Sequence, residues 1–204
     1  GAGAVLVGKL AMVELAGGFG YDQADAAWTG PGRNARDPGR WAGGSSNGSG
    51  AAVAAGAVPF AIGSETWGSI VTPACLNGVV GFRPTYGLVS RRGAMALSWT
   101  MDKIGPLAHT ARDCAAVLGV IAGPDPEEPT ALAAPAFTTD PRRTGFRVGV
   151  LPARGQGCDP GVAAAFDKAL DALGSIASID VVSFPDLPWD EAASTVIGAA
   201  FAAH

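Results

Sequence analysis

The sequence predicts an α/β protein with a mixed, largely parallel sheet and flanking helices, and three stretches carry that prediction. Phe146–Leu151 is a short apolar run, Pro160–Leu173 repeats apolar residues at helical spacing, and Ile179–Phe184 is apolar again. Strand, helix and strand at this spacing imply parallel strands joined by a crossover helix. Ala111–Ala122 adds an amphipathic helix, stopped by the turn residues Gly123-Pro124-Asp125-Pro126.

Upstream the elements are shorter and richer in glycine. Ala4–Val7, an apolar run between glycines, reads as a buried strand, and Lys9–Ala16 as the start of a helix. Gly17–Ala42 is dense in Gly, Pro, Asn, Asp and Arg and reads as a long irregular loop; such loops in compact domains tend to be functional. Gly43–Gly50 is a Gly/Ser cluster leading into a small-residue helix over Ala51–Gly56. Phe60–Gly63 reads as a strand entering a second Gly/Ser turn, Ser64–Ile70. Asn77–Phe82 reads as another buried strand, ended by Arg83-Pro84-Thr85. The expected organisation is one partial domain over 1–204: a core at about 4–123, a proline-rich connector at about 124–144, and a β-α-β continuation at about 146–204. No internal repeat is visible.

Composition narrows the function classes. Hydrophobic residues make up 48% and charged residues 16% of the 204, below the roughly 25% charge usual for soluble domains. Thirty glycines follow no fixed period, which excludes collagen and solenoid readings. A net charge of −4 offers no basic footprint for nucleic acid or an anionic membrane. Three cysteines without a CxxC, and only two histidines, argue against a zinc cluster and for reduced thiols, hence a cytoplasmic setting. No apolar run is long enough to span a membrane. The chain opens on Gly-Ala-Gly-Ala-Val-Leu-Val without Met and stops inside a helical pattern at His204, so truncation at both ends is expected.

Most motif matches fail on context. Gly3-Ala-Val-Leu-Val-Gly8-Lys9-Leu10 approaches a phosphate loop, but Leu10 stands where the Mg²⁺ hydroxyl is required, and the intervening residues read as strand. Gly44-Ser45-Ser46-Asn47-Gly48 matches GxSxG, yet a polar loop precedes it instead of a strand, and His109 is the one histidine placed to serve it. For either Gly/Ser cluster alone, helix capping is the default explanation. Two clusters separated by a small-residue helix and an apolar strand are harder to dismiss, because runs of main-chain N–H groups in glycine-rich turns form anion-binding nests.

Taken in order, Gly43-Gly-Ser-Ser-Asn-Gly-Ser-Gly-Ala-Ala-Val-Ala-Ala-Gly56, Gly63-Ser-Glu-Thr-Trp-Gly-Ser-Ile70, Pro73-Ala74 and Asn77-Gly-Val-Val-Gly-Phe-Arg-Pro-Thr-Tyr-Gly87 resemble the amidase signature. Gly8-Lys9 with Glu14-Leu-Ala16, and Met101-Asp-Lys-Ile-Gly-Pro106, extend the resemblance. It is strong over about 4–123 and weaker over 146–184. This family includes bacterial amidases, fatty-acid amide hydrolase and the A subunit of the tRNA-dependent amidotransferase.

The resemblance implies amide hydrolysis by a Ser–cisSer–Lys triad, with no cofactor and no metal. It makes Ser69 the nucleophile and Ser45 the bridging serine after a cis Gly44–Ser45 bond. Backbone N–H groups of Thr66, Trp67, Gly68 and Ser69 would form the oxyanion hole, and Gly43, Gly44 and Ser46 the supporting loop. A neutral lysine can serve as base when burial lowers its pKa, and a bridging hydroxyl can accept from one partner while donating to the other. The family's catalytic lysine lies upstream of the Gly-Lys segment, so Lys9, Lys103 and Lys168 are all left without a triad role. This stretch by itself is expected to be inactive. Trp67 stands where many relatives have glycine; it either narrows the acyl pocket or marks a tolerant subgroup, and a required positive φ would make it costly. Asn77 replaces a frequent cysteine without obvious consequence. Asp102 and Arg83 read as structural, and His109 as a surface residue at a helix start. The implied partner is a small-molecule amide, with a homodimer an open option and no direct nucleic-acid or membrane contact. The alternatives are a non-catalytic fragment and the amidotransferase A subunit.

Overall fold

A computed structural model of the chain describes residues 2–17, 26–132, 145–151 and 157–202. They fall into two compact units, 1–138 with 194–204, and 139–193. The parts of the expected loop at 18–25 and of the connector at 133–144 lie outside the described residues.

The first unit is built on a three-stranded sheet in the order β1-β3-β2, from β1 (Phe60–Glu65), β2 (Val80–Gly81) and β3 (Lys103–Ala108). Both pairings are antiparallel, with Phe60 opposite Ala108 and Glu65 opposite Lys103 in the first. Inward and outward residues alternate along β1, so Ala61, Gly63 and Glu65 share the buried face while Ile62 is exposed. Against this sheet pack α1 (Asn47–Ala54), α2 (Val71–Asn77) and α3 (Ala111–Ile121). Val53, Ala61, Ile70, Ala74 and Leu107 form the core, with Val58 and Val79 against it. α3 starts as its sequence suggests: Thr110 caps it by accepting from the Asp113 N–H at 3.1 Å.

The second unit holds β4 (Phe146–Val150), α4 (Pro160–Leu173) and β5 (Ala177–Val181). β4 and β5 pair in parallel, with Phe146 opposite Ala177, and α4 is the crossover between them. Asp159 caps α4 by accepting from Gly161 N–H, and Pro160 occupies its first turn, where the missing N–H costs nothing. The last helix, α5, runs over Trp189–Ala202.

The mixed α/β class is therefore as predicted. Among the described residues parallel pairing is confined to β4–β5, and the strands of the motif core pair antiparallel. Three local expectations are corrected. Ala4–Val7 forms no strand; Val5, Leu6 and Val7 are exposed and have no ladder partner among the described residues. Lys9–Ala16 forms no right-handed helix, because Leu15 and Ala16 take left-handed backbone angles (φ 48° and 54°). Asn77–Phe82 is not one strand: Asn77 closes α2, and only Val80–Gly81 joins the sheet.

The segment before the left-handed turn has a role that its composition does not advertise. It passes the first Gly/Ser cluster, where Val13 N–H donates to Ser45 O (2.9 Å) and Ala11 O accepts from Gly48 N–H (2.9 Å). A Cβ on Gly48 would sit 2.5 Å from the Ala11 backbone N and O. Gly48→Ala is expected to destabilise the protein by about 2 kcal/mol, the usual scale of overpacking, measured by urea denaturation. An unchanged midpoint would show that the strap is not held as described.

Candidate active site

The two Gly/Ser clusters meet through backbone and side-chain bonds that follow from their positions on α1 and β1. Ser46 N–H donates to Ser69 O at 3.2 Å, which sets the first cluster directly beside the second. The Ser46 hydroxyl donates to Ser64 O and accepts from Ser64 N–H, both at 3.1 Å. One helical turn on, Ser49 Oγ donates to Ile62 O (2.8 Å). Both serines thus lie on the α1 face that packs on β1, where the small residues of this helix permit close approach.

The Gly44–Ser45 peptide is cis, as the resemblance implied. Ser45 is fully buried, and its hydroxyl makes no hydrogen bond with any described residue, Ser69 included. Buried hydroxyls are normally paired, so an orphaned one in a packed loop calls for an explanation. Ser69 is likewise buried, at 3% exposure. Ser46 is neither a free nucleophile nor a side-chain cap, since both its hydrogen-bonding roles are spent on β1. The GxSxG reading fails here, with no strand among the described residues leading into Gly44 and with His109 exposed ahead of α3.

The loop between β1 and α2 carries Thr66, Trp67, Gly68 and Ser69, and it is clamped at both ends. Glu65, on the inward face of β1, is buried, and its Oε2 accepts from Ile70 N–H (2.7 Å) and Val71 N–H (2.9 Å). These amides open α2 and would otherwise lack acceptors. Its Oε1 makes no hydrogen bond but faces Arg83 Nη1 at 3.7 Å, an ion pair whose arginine end is half exposed. Thr66 Oγ1 donates to Asp102 Oδ1 at 2.6 Å, and Asp102 Oδ2 accepts from the Leu97 and Ser98 amides. Lys103 Nζ donates to Thr66 O at 2.9 Å. Burial is the main reason its pKa is lowered; Arg83 lowers it further, while Glu65 and Asp102 act in the opposite sense. The main-chain N–H groups of Trp67 and Gly68 take no part in this scaffold.

Trp67 does not meet the backbone penalty considered for it. The left-handed position in the loop is Gly68 (φ 102°), and Trp67 is not among the residues with positive φ. Its indole is about half exposed, at 53%.

Asn77 has a larger part than its sequence context suggested. Its Nδ2 donates to Ala42 O and Pro73 O, each at 2.8 Å, and its Oδ1 accepts from Ala35 N–H. Asn34 Nδ2 and Arg36 Nε add bonds to Leu76 O and Asn77 O. The irregular loop over 33–42 is thereby wrapped on the end of α2, fixing the chain one residue ahead of Gly43. Pro73 apart, these partners lie 35 to 42 residues from one another in sequence, so no local pattern could have exposed them. The polar carboxamide of a buried residue ending an apolar segment was the available signal.

Arg83 pairs with Glu65 and Asp102 accepts from the Thr66 hydroxyl, while Lys9 and Lys168 are exposed. Among the described residues no group of three or more His, Cys, Asp or Glu side chains could hold a metal ion, and no helix is long and apolar enough to cross a membrane.

The mixed α/β fold matches solved amidase structures. The Amidase family profile matches residues 1–204, and the chain belongs to that family. It is 48% identical over 202 residues to the A subunit of the glutamyl-tRNA(Gln) amidotransferase from Deinococcus radiodurans, covering 97% of this chain and 41% of that one. The crystal structure of the corresponding protein from Thermotoga maritima superposes with a TM-score of 0.89 at 34% identity, covering 99% of this chain and 45% of that one. Native peptide amidase from Stenotrophomonas maltophilia gives a TM-score of 0.82 at 35% identity, with 99% and 44% covered. The chain thus spans about two-fifths of the length of these relatives.

Proposed function

We propose that the protein containing this chain hydrolyses a carbon–nitrogen amide bond through an acyl-Ser69 intermediate. In this reading Ser69 Oγ attacks the amide carbonyl carbon while its proton passes through Ser45 Oγ to a lysine outside residues 1–204. The carbonyl oxygen, now carrying the negative charge, is met by N–H groups of the Thr66–Ser69 loop. One such donor is typically worth about 3 kcal/mol of barrier. Collapse breaks the C–N bond, the departing nitrogen takes the proton back along the same route, and water then hydrolyses the ester. The observation that carries the reading is the buried, unpartnered Ser45 hydroxyl on a loop bonded to the Ser69 carbonyl. A lysine reaching Ser45 would satisfy it.

The similarity to one component of a tRNA-dependent amidotransferase favours a second reading, in which the ammonia released is passed on within a complex. Both readings use the same two serines. The peptide amidase likeness supports free hydrolysis of a small amide. Release of ammonia from glutamine only in the presence of a co-purifying partner would decide for the amidotransferase.

Treating the full-length protein with a fluorophosphonate and mapping the adduct tests the site. The adduct is expected on Ser69, and His109→Ala is expected to label as the wild type does, because His109 is exposed ahead of α3. An adduct on Ser46, or loss of labelling in the histidine variant, would overturn the assignment.

A further inference from the structure

We propose that Lys103 is a charge-bearing positioning residue for the oxyanion loop, hydrogen-bonding the Thr66 carbonyl so that the Trp67 N–H of the same peptide becomes a stronger donor. This rests on the hydrolase reading above and deepens it. The peptide unit between Thr66 and Trp67 has its carbonyl held by Lys103 Nζ at 2.9 Å, while its N–H takes no part in the scaffold. A cation on the oxygen of an amide pulls electron density from the nitrogen, and bonds linked through one peptide strengthen each other by roughly 10–30%. The ammonium also lies one peptide away from where negative charge would develop. In a partly buried site such a charge acts through a lower dielectric than water.

The lysine is built into place. It sits opposite Glu65 in the β1–β3 register, so both side chains emerge on one face. Asp102 precedes it and holds the Thr66 hydroxyl, and Glu65 holds the amides at the far end of the same loop. The charged groups facing it are therefore Glu65 and Asp102, which favour its ammonium, and Arg83, which opposes it. Burial outweighs the acidic neighbours, so the proton leaves below the ordinary lysine range. Since the protonated form is the active one, rate falls as pH rises through that point. The deprotonated base of the triad would set the acidic limb; Lys103 sets the alkaline limb.

The test is the second-order rate of fluorophosphonate labelling of Ser69 in the full-length protein, measured from neutral to alkaline pH. Wild type is expected to lose rate on an alkaline limb lying below the normal lysine range. K103R, which keeps a charge that does not titrate there, is expected to lose that limb while retaining a larger share of the neutral-pH rate than K103M. K103M is expected to be slower than wild type by about tenfold at neutral pH, less than the loss of a whole oxyanion donor, with no limb. An alkaline limb that persists in either variant, or its absence from wild type, overturns the proposal. Should K103M fail to fold, judged by its thermal melt, K103R alone decides. Failure of Ser69 to label at all would instead sink the hydrolase reading, which keeps the two outcomes distinct.

Discussion

Ser69→Ala in the full-length protein is expected to abolish fluorophosphonate labelling and turnover, while Ser45→Ala slows labelling about a thousandfold, within the usual range for a lost proton relay. The two variants should differ in kind. Removing Ser69 Oγ removes the atom that forms the bond, so no residual covalent adduct remains. Removing Ser45 Oγ leaves the nucleophile and the loop amides intact, and the slow reaction that survives reports them alone. Neither change should unfold the protein. Ser45 Oγ makes no hydrogen bond among the described residues, so S45A is expected within about 1 kcal/mol of wild type in urea denaturation. A Ser45→Ala protein that labels at the wild-type rate would remove the bridging role. One that labels slowly only because it is largely unfolded would make Ser45 a structural residue.

What is legible in the sequence is what depends on short spacing. Pro160–Leu173 is legible to the residue, and the parallel pairing of its flanking strands follows from the crossover it makes. The Gly/Ser clusters declare themselves by composition, and the cis bond between Gly44 and Ser45 follows from the resemblance. Elements that depend on distant partners are not legible. α2 has seven residues, contains Pro73, and finds its amide acceptor in Glu65 rather than in a capping residue at its own start, so it carries none of the usual helix signals. The apolar run Ala4–Val7 looks like a strand by content, but strand formation needs a neighbour's free N–H and C=O groups, and the described residues offer it none. Motif position leaves Lys103 outside the triad and says no more; only the β1–β3 register places it beneath the Thr66 carbonyl.

Glu65→Leu is expected to cost about 4 kcal/mol of stability and most of the labelling rate. The buried Ile70 N–H and the partly buried Val71 N–H would lose their acceptor, at roughly 1–3 kcal/mol each with the second at the low end. Arg83 and Lys103 would also lose their shared counter-charge; the half-exposed Arg83 adds little to the total. Glu65→Gln keeps one carboxamide oxygen in place and should fall between wild type and the leucine variant. Urea denaturation of the full-length protein measures the loss. The coupling to chemistry follows from geometry, because Ile70 N–H directly follows Ser69 and releasing it frees the end of the loop that Lys103 and Asp102 hold from the other side. A leucine variant as stable as wild type would mean that the carboxylate is not the loop's anchor. A variant that is destabilised yet labels Ser69 at full rate would mean that the loop holds its shape without it.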